Sequence, residues 1–295
     1  MTQPIAIAEE AEQVEAKGWF NPWRILNFVV LVAFVVITIF PFYWMVMTAI
    51  MPTDAILARN PSLLPDLSRV RFDAFWHVFE QRPFLRWLFN SLLVAIVSTT
   101  LSLIVSTLAG YSLSRFNGGP QQALGGTLLI SKLVPASLIL IPLFIIYNLI
   151  GLFDTYLGLV LANMTIGVPL ATWLMKGFFD RIPRELEQAA MIDGATQIQA
   201  LWVVVLPLAK PGLAASTVYL MLTSWSEFIF ARTLVGSVDM QVLTVGMQSF
   251  VGEQMVDWSM LMAAGTISVL PAIILFILLE PFLVSGMTKG ALAGT

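Results

Sequence analysis

The chain has 295 residues, of which 58% are hydrophobic and 11% charged, against about 25% charged in an ordinary soluble domain. A water-soluble fold of this size cannot bury that much apolar surface, and the same balance excludes intrinsic disorder. With 15 basic against 18 acidic residues, no cysteine and one histidine (His77), there is no nucleic-acid-binding field, no thiol chemistry and no histidine metal cluster.

What remains is an integral membrane protein, read here from its N-terminus. Residues 1–22 include Glu9, Glu10, Glu12 and Glu15. They lack the basic start and short apolar core of a signal peptide, so they are read as a cytoplasmic arm preceding a retained first span. Charge-free stretches then mark the membrane crossings. They lie between Arg24 and Asp54, Arg86 and Arg115, Asp154 and Lys176, and Asp257 and Glu280, each 21 to 29 residues long; roughly 20 suffice to cross the hydrocarbon. Two further spans carry charge: 124–150 contains Lys132 and 211–235 contains Glu227. All are too long and too continuously apolar for barrel strands. The expected fold is all-α and polytopic: six transmembrane helices over 23–285, then a cytoplasmic tail at 286–295.

Lys and Arg set the orientation. With both termini inside, eight basic residues lie inside and six outside, a small excess of the sign the positive-inside rule requires. Five of the outer six fall in one loop, 52–87, which also holds Asp54, Asp66, Asp73 and Glu80. Pro41, Pro135, Pro142, Pro169 and Pro271 sit inside spans. They mark either ordinary kinks or a bundle bent around a translocation path.

The intramembrane charges allow two readings. Lys132 lies roughly 12 Å into its span and Glu227 roughly 24 Å into its own, so the two are staggered and should not pair directly. Each either lines a watery path or is a structural charge held by backbone groups. Tyr43, Trp44, Trp225 and Phe228 could stack on the flat face of a solute or serve as packing and interface anchors.

The connection at 180–207 is the informative polar segment. Pro183 suits a first helical turn, and Glu185 and Glu187 near it complement the helix dipole. Leu186, Ala189, Ala190 and Asp193 share one face, and Gly194 is placed to end the helix. A second amphipathic segment is expected to stop at Pro207. The result is a helix–turn–helix at the inner surface whose alanines allow close approach by another protein.

Glu187-Gln188-Ala189-Ala190, three residues, Gly194, nine residues, then Val204-x-Leu206-Pro207 resembles the cytoplasmic loop signature of ABC importer permeases. Gln188 stands where that signature has glutamate. Further stretches are similar to the maltose-type carbohydrate-uptake branch. They are Phe40 to Ala49, Asn90 to Ala95, Leu108 to Phe116, Ile141-Pro-Leu-Phe with Gly151 to Thr155, Trp225 to Ala231, and the glycine-rich tail from Val284.

The resemblance implies the transmembrane domain of a type I ABC importer, with 180–207 as a coupling-helix hairpin. It implies Glu185, Glu187, Gln188, Ala189, Ala190, Asp193, Gly194, Leu206 and Pro207 as the docking loop for an ATPase. The loss of the signature carboxylate at Gln188 removes one charged contact with that ATPase. Tyr43, Trp44, Lys132, Trp225 and Glu227 are candidates for the path. The implied partners are a second permease subunit, two ATPase subunits, an extracytoplasmic sugar-binding protein and membrane lipid, with no nucleic acid. The loop 52–87 either touches the binding protein or packs on the bundle as a lid. No phosphate-binding Gly-x-x-x-x-Gly-Lys motif occurs, so no cofactor is expected in this chain and ATP and magnesium would be held by the ATPase. The expected protein is no enzyme but a sugar-import subunit of a bacterial or archaeal cytoplasmic membrane. Other readings are a permease for a polyol, glycerol phosphate or another solute, and a stand-alone secondary transporter.

Overall fold

The computed structural model describes residues 22–59, 62–252 and 256–292. The arm expected at 1–22 lies outside them except for Pro22, as do residues 293–295 of the expected tail. Among the described residues the structure is helical, with a lone β-bridge between Val251 and Val256. In chain order the principal helices are α1 (Pro22–Ile50), α2 (Asp73–Gln81), α3 (Phe84–Arg115), α4 (Gly119–Leu133), α5 (Ala136–Leu149), α6 (Tyr156–Phe179), α7 (Arg184–Ile192), α8 (Gln197–Leu208), α9 (Lys210–Trp225), α10 (Ile229–Leu234) and α11 (Trp258–Leu292).

Four of these are continuous and apolar enough to span a membrane: Trp23–Ile50, Phe84–Arg115, Tyr156–Phe179 and Trp258–Leu283. The other two expected spans are not straight rods. The span placed at 124–150 is α4 and α5, bent by 105°. Pro135 is the cause: it is extended (φ −57°, ψ 134°) and so is Val134 before it (φ −80°, ψ 120°), because proline disfavours the α region for its predecessor. Pro41, Pro142, Pro169 and Pro271 stay inside continuous helices. The span placed at 211–235 also breaks. Its helix α9 ends at Trp225, and α10 starts only at Ile229. At 16 residues, α9 is about 24 Å long, shorter than the roughly 30 Å of the hydrocarbon core.

The core is a trio of α3, α6 and α9, with α3 and α6 packed most extensively. The α3 face that meets the others is small and polar: Ser98, Thr99, Ser102, Ser106 and Thr107 are all buried. In a membrane, where apolar surface gives no drive between helices, small residues let backbones approach and gain dispersion contact. At Gly110 the approach is closest: a Cβ there would stand 2.9 Å from Thr172 O, Met175 Cβ and Lys176 N on α6. Ser98 and Ser224 share a 2.9 Å hydroxyl bond between α3 and α9.

Three apolar clusters follow one another along the bundle. One, with Val78, Phe84, Trp87 and Phe250, closes the loop end. A second, with Val94, Leu159, Phe230 and Leu234, fills the half beneath it. The third, with Tyr111, Met175, Phe179, Leu201 and Val205, closes the opposite end. Outside the trio, α1 lies beside α11 and, apart from Met47, Thr48 and Ala49 at its loop end, is open: none of its apolar window is buried. A helix apolar all round and unburied is what lipid, or another membrane chain, would cover. The two helices are joined at the loop end, where Ser259 Oγ donates to Met51 O at 3.3 Å. They leave it side by side, so both described ends point toward the opposite, hairpin end. The helix α11 continues through Leu292, so no break marks the expected boundary between span and tail at 285.

Candidate functional site

The segment 180–208 folds as the expected helical hairpin at the end of the bundle where α3 and α6 finish. Pro183 precedes α7, and Glu185 and Glu187 occupy its first turn. The helix ends by a Schellman motif. Gly194 takes φ +95°, its N–H bonds Met191 O at 3.1 Å, and the Ala195 N–H bonds Ala190 O at 3.0 Å. Thr196 then starts α8 through a capping box with Gln199: Gln199 N donates to Thr196 Oγ1 at 3.3 Å and Thr196 N to Gln199 Oε1 at 2.7 Å. The second segment does not stop at Pro207. It runs to Leu208, through a π-helical stretch at Leu201–Val205, and bends by 79° into α9. Pro207 begins the last turn of α8 and Pro211 the first turn of α9. Proline suits a first turn, so each marks a new start on either side of the bend at Ala209.

The faces of the hairpin divide sharply. Glu185, Gln188, Ala189, Asp193, Gly194 and Pro207 are exposed, and Ala190 and Leu206 are half-buried. Around them large apolar side chains stand open: Ile192 is 85% exposed, Ile198 71% and Trp202 64%. On the other side Leu201, Val205 and Ala209 bury themselves on Tyr111 and Phe179.

Glu187 departs from the expectation. It is the one buried residue of α7 and points into the bundle, away from the exposed face of the hairpin. Its Oε1 accepts from Arg115 Nε at 2.5 Å and its Oε2 from Tyr111 Oη at 2.8 Å. Four of the five Arg115 N–H groups are used: beside Nε, Nη1 donates to Phe179 O and Ser114 Oγ, both at 3.0 Å, and Nη2 to Ile182 O at 3.1 Å. Arg184 Nη2 adds a bond to Ser114 O at 2.8 Å. Tyr111 and Arg115 were given no role by sequence reasoning. Nothing local could have paired them with Glu187, which lies 76 and 72 residues further along the chain. Nearby, partial burial pushes the Asp180 carboxyl up, but bonds from Lys176 and Ser114 outweigh it and hold it below the usual carboxylate value.

The five path candidates are not gathered into one site. Lys132, at the α4–α5 break, donates to Ile166 O and stands 3.5 Å from Tyr219 Oη. Glu227 sits in the break after α9 and caps α10, accepting from Phe230 N at 2.8 Å and Ala231 N at 2.9 Å. The two charges serve separate backbones, as their stagger predicts, and Glu227 accounts for the interruption of that span. Tyr43 Oη donates to Leu63 O at 2.5 Å, and Trp44 stacks on Phe40 with ring centroids 6.1 Å apart. Trp225 Nε1 donates to Ser268 O on α11 at 3.2 Å. Only Trp225 and Glu227 come together, in a small polar cavity shared with Ser91, Asn163 and Ser224. Asn163 Oδ1 has no hydrogen-bond partner.

At the loop end, α2 of the 52–87 loop packs as a lid, with Ala74 and Val78 buried against α3 and α11. The segment 236–252, to which sequence reasoning gave no structure, is tied down by the first turns of α3. Asn90 is fully buried: its Nδ2 donates to Asp239 O at 2.9 Å and Gln241 O at 2.8 Å, and its Oδ1 accepts from Tyr156 Oη at 2.7 Å. Leu243 N donates to Ser91 Oγ at 2.7 Å.

A family model described as "Binding-protein-dependent transport system inner membrane component" matches residues 102–289. The chain is 32% identical over 273 residues to the sulfoquinovosyl glycerol transport system permease protein SmoH of Agrobacterium fabrum, covering 91% of this chain and 94% of the relative. It is 35% identical over 223 residues to the maltodextrin transport system permease protein MdxG of Bacillus subtilis, covering 75% and 80%. Among solved structures, a chain of a bacterial ABC transporter that imports the acidic polysaccharide alginate matches with a TM-score of 0.77 at 23% identity, covering 90% of this chain and 99% of that one. The last likeness is one of fold.

Proposed function

Because the chain belongs to the family of binding-protein-dependent transport system inner membrane components, we propose that it is one of two transmembrane subunits of an ATP-driven sugar importer. As a transport component it supplies the membrane path, and ATP with its magnesium is bound and hydrolysed by a pair of ATPase subunits. The observation that carries this reading is the hairpin: a capped helix–turn–helix at the end of the spans, with Gln188, Ala189 and Gly194 exposed beside open apolar residues. Small side chains on a rigid turn admit a closely fitting partner, and a partner that opens and closes can bias a two-state bundle. On this reading the hairpin and both termini lie on the cytoplasmic side of the inner membrane. The opposite end, with its lid and the segment 236–252, faces the extracytoplasmic sugar-binding protein.

A sugar is the substrate class we favour, because permeases similar to this chain include ones named for sulfoquinovosyl glycerol and for maltodextrin. A stand-alone ion-coupled transporter would need a relay of titratable groups across the bundle. Lys132 and Glu227 are instead each occupied by backbone groups. The test is purification of the chain with its neighbouring gene products, followed by sugar uptake in proteoliposomes. The expected result is a complex with a second permease and an ATPase, and uptake that requires ATP and the binding protein. Transport by this chain alone without ATP would overturn the reading.

A further inference from the structure

We propose that Glu187, gripped by Arg115 and Tyr111, is the positioning residue that transmits movement of the hairpin to the membrane helices. The inference rests on the reading of the hairpin as the seat of an ATPase, and it gives the internal side of that contact a chemical form.

The two arms of the hairpin are anchored differently. The α8 arm is held by apolar burial of Leu201, Val205 and Ala209, which is strong but non-directional. The α7 arm buries one side chain, and that side chain is charged. The Arg115 and Glu187 side chains are 6% and 7% exposed. Desolvating such a pair is costly and is repaid only when the remaining donors and acceptors are also met. Here both carboxylate oxygens and four of the five Arg115 N–H groups are met. Arg115 Nε and Tyr111 Oη take one carboxylate oxygen each, and the remaining guanidinium nitrogens bind Phe179 O, Ser114 Oγ and Ile182 O. One guanidinium therefore joins the end of α3, the last turn of α6, the linker into α7, and α7 itself. A carboxylate held at both oxygens resists rotation as well as translation, because hydrogen bonds are directional. Tyr111 belongs to both anchors: its ring packs edge-on to Phe179 at 5.8 Å within the cluster that seats α8, while its hydroxyl reaches α7. A push on the exposed face of α7 is thus delivered to the ends of two core spans without slack.

The linkage is tested in the full complex by the sugar imported per ATP hydrolysed, with Glu187→Gln and Tyr111→Phe. The docking face is untouched in both, so the ATPase subunits should stay bound and basal hydrolysis should persist. Glu187→Gln removes the charge-assisted grip and should lower imported sugar per ATP about tenfold. Tyr111→Phe keeps the ring and loses one bond, and should lower it about twofold to threefold. An unchanged ratio in Glu187→Gln overturns the proposal. So does loss of the ATPase from that variant, which would make Glu187 a docking group. Should Glu187→Gln fail to accumulate, the ratio of Tyr111→Phe decides, and no change overturns the proposal. Wild-type complex without ATP-dependent uptake would instead sink the importer reading itself.

Discussion

Asp154 closes the turn between α5 and α6 with φ +55°, and its carboxylate stitches that turn to the segment after α10. Its Oδ1 accepts from Gly236 N at 3.0 Å, Ser237 N at 3.1 Å and Ser237 Oγ at 3.0 Å. Partial burial pushes its carboxyl up, but the bonds from Ser237 and Gly236 outweigh it and hold the group below the usual carboxylate value. A depressed carboxyl adds stability above its unfolded pKa and loses it as pH falls through the folded one. The melting midpoint of the complex should therefore fall below about pH 4 partly through this residue. Asp154→Asn should melt lower at pH 7 and show a smaller acid drop; identical pH profiles would contradict this. The partners of Asp154 lie over 80 residues away, so its role was invisible in sequence. Glu187 is the same case. Helical periodicity sets it off the face of Leu186, Ala189, Ala190 and Asp193. Only the fold brings Arg115 and Tyr111 to meet it.

The hairpin is the element most fully legible in the sequence, because its signals are local. Pro183 at the start and Gly194 at the turn each act on backbone within a few residues of themselves; the Thr196–Gln199 capping box is as local, but it took the structure to show it. Gly194 is the sharpest point: at φ +95° a β-branched side chain is strained by about 1–2 kcal/mol. Gly194→Val should release the ATPase or uncouple transport, read by co-purification and by ATP-dependent uptake. Gly194→Asn, which tolerates left-handed backbone better, should lose less. Unchanged transport in Gly194→Val would argue against the docking role. The broken spans were less legible. Hydropathy counts apolar residues and is blind to direction, so the 105° bend at Pro135 and the halt at Trp225 pass unseen within continuous apolar stretches.

At the scale of the described bundle, Lys132, Glu227, Ser98 and Ser224 hold breaks and crossings together. Glu227 illustrates this: two backbone N–H groups at the head of α10 rest on its oxygens. Glutamine keeps one acceptor, so Glu227→Gln should cost on the order of 1–2 kcal/mol. It should lower the melting midpoint, and lower uptake only as far as assembled complex is lost. A normal midpoint with abolished uptake would instead assign Glu227 to the path. Sequence alone determined the membrane class, the all-α fold, the approximate place of each span and the hairpin. Composition, charge-free length and short-range capping are properties of neighbouring residues, and they need no fold to be read. The tertiary structure decided which spans run straight, what the loop-end segment packs on, and that Glu187 faces inward. Each of these depends on side chains brought together from distant parts of the chain by the close approach of α3, α6 and α9 through their small residues.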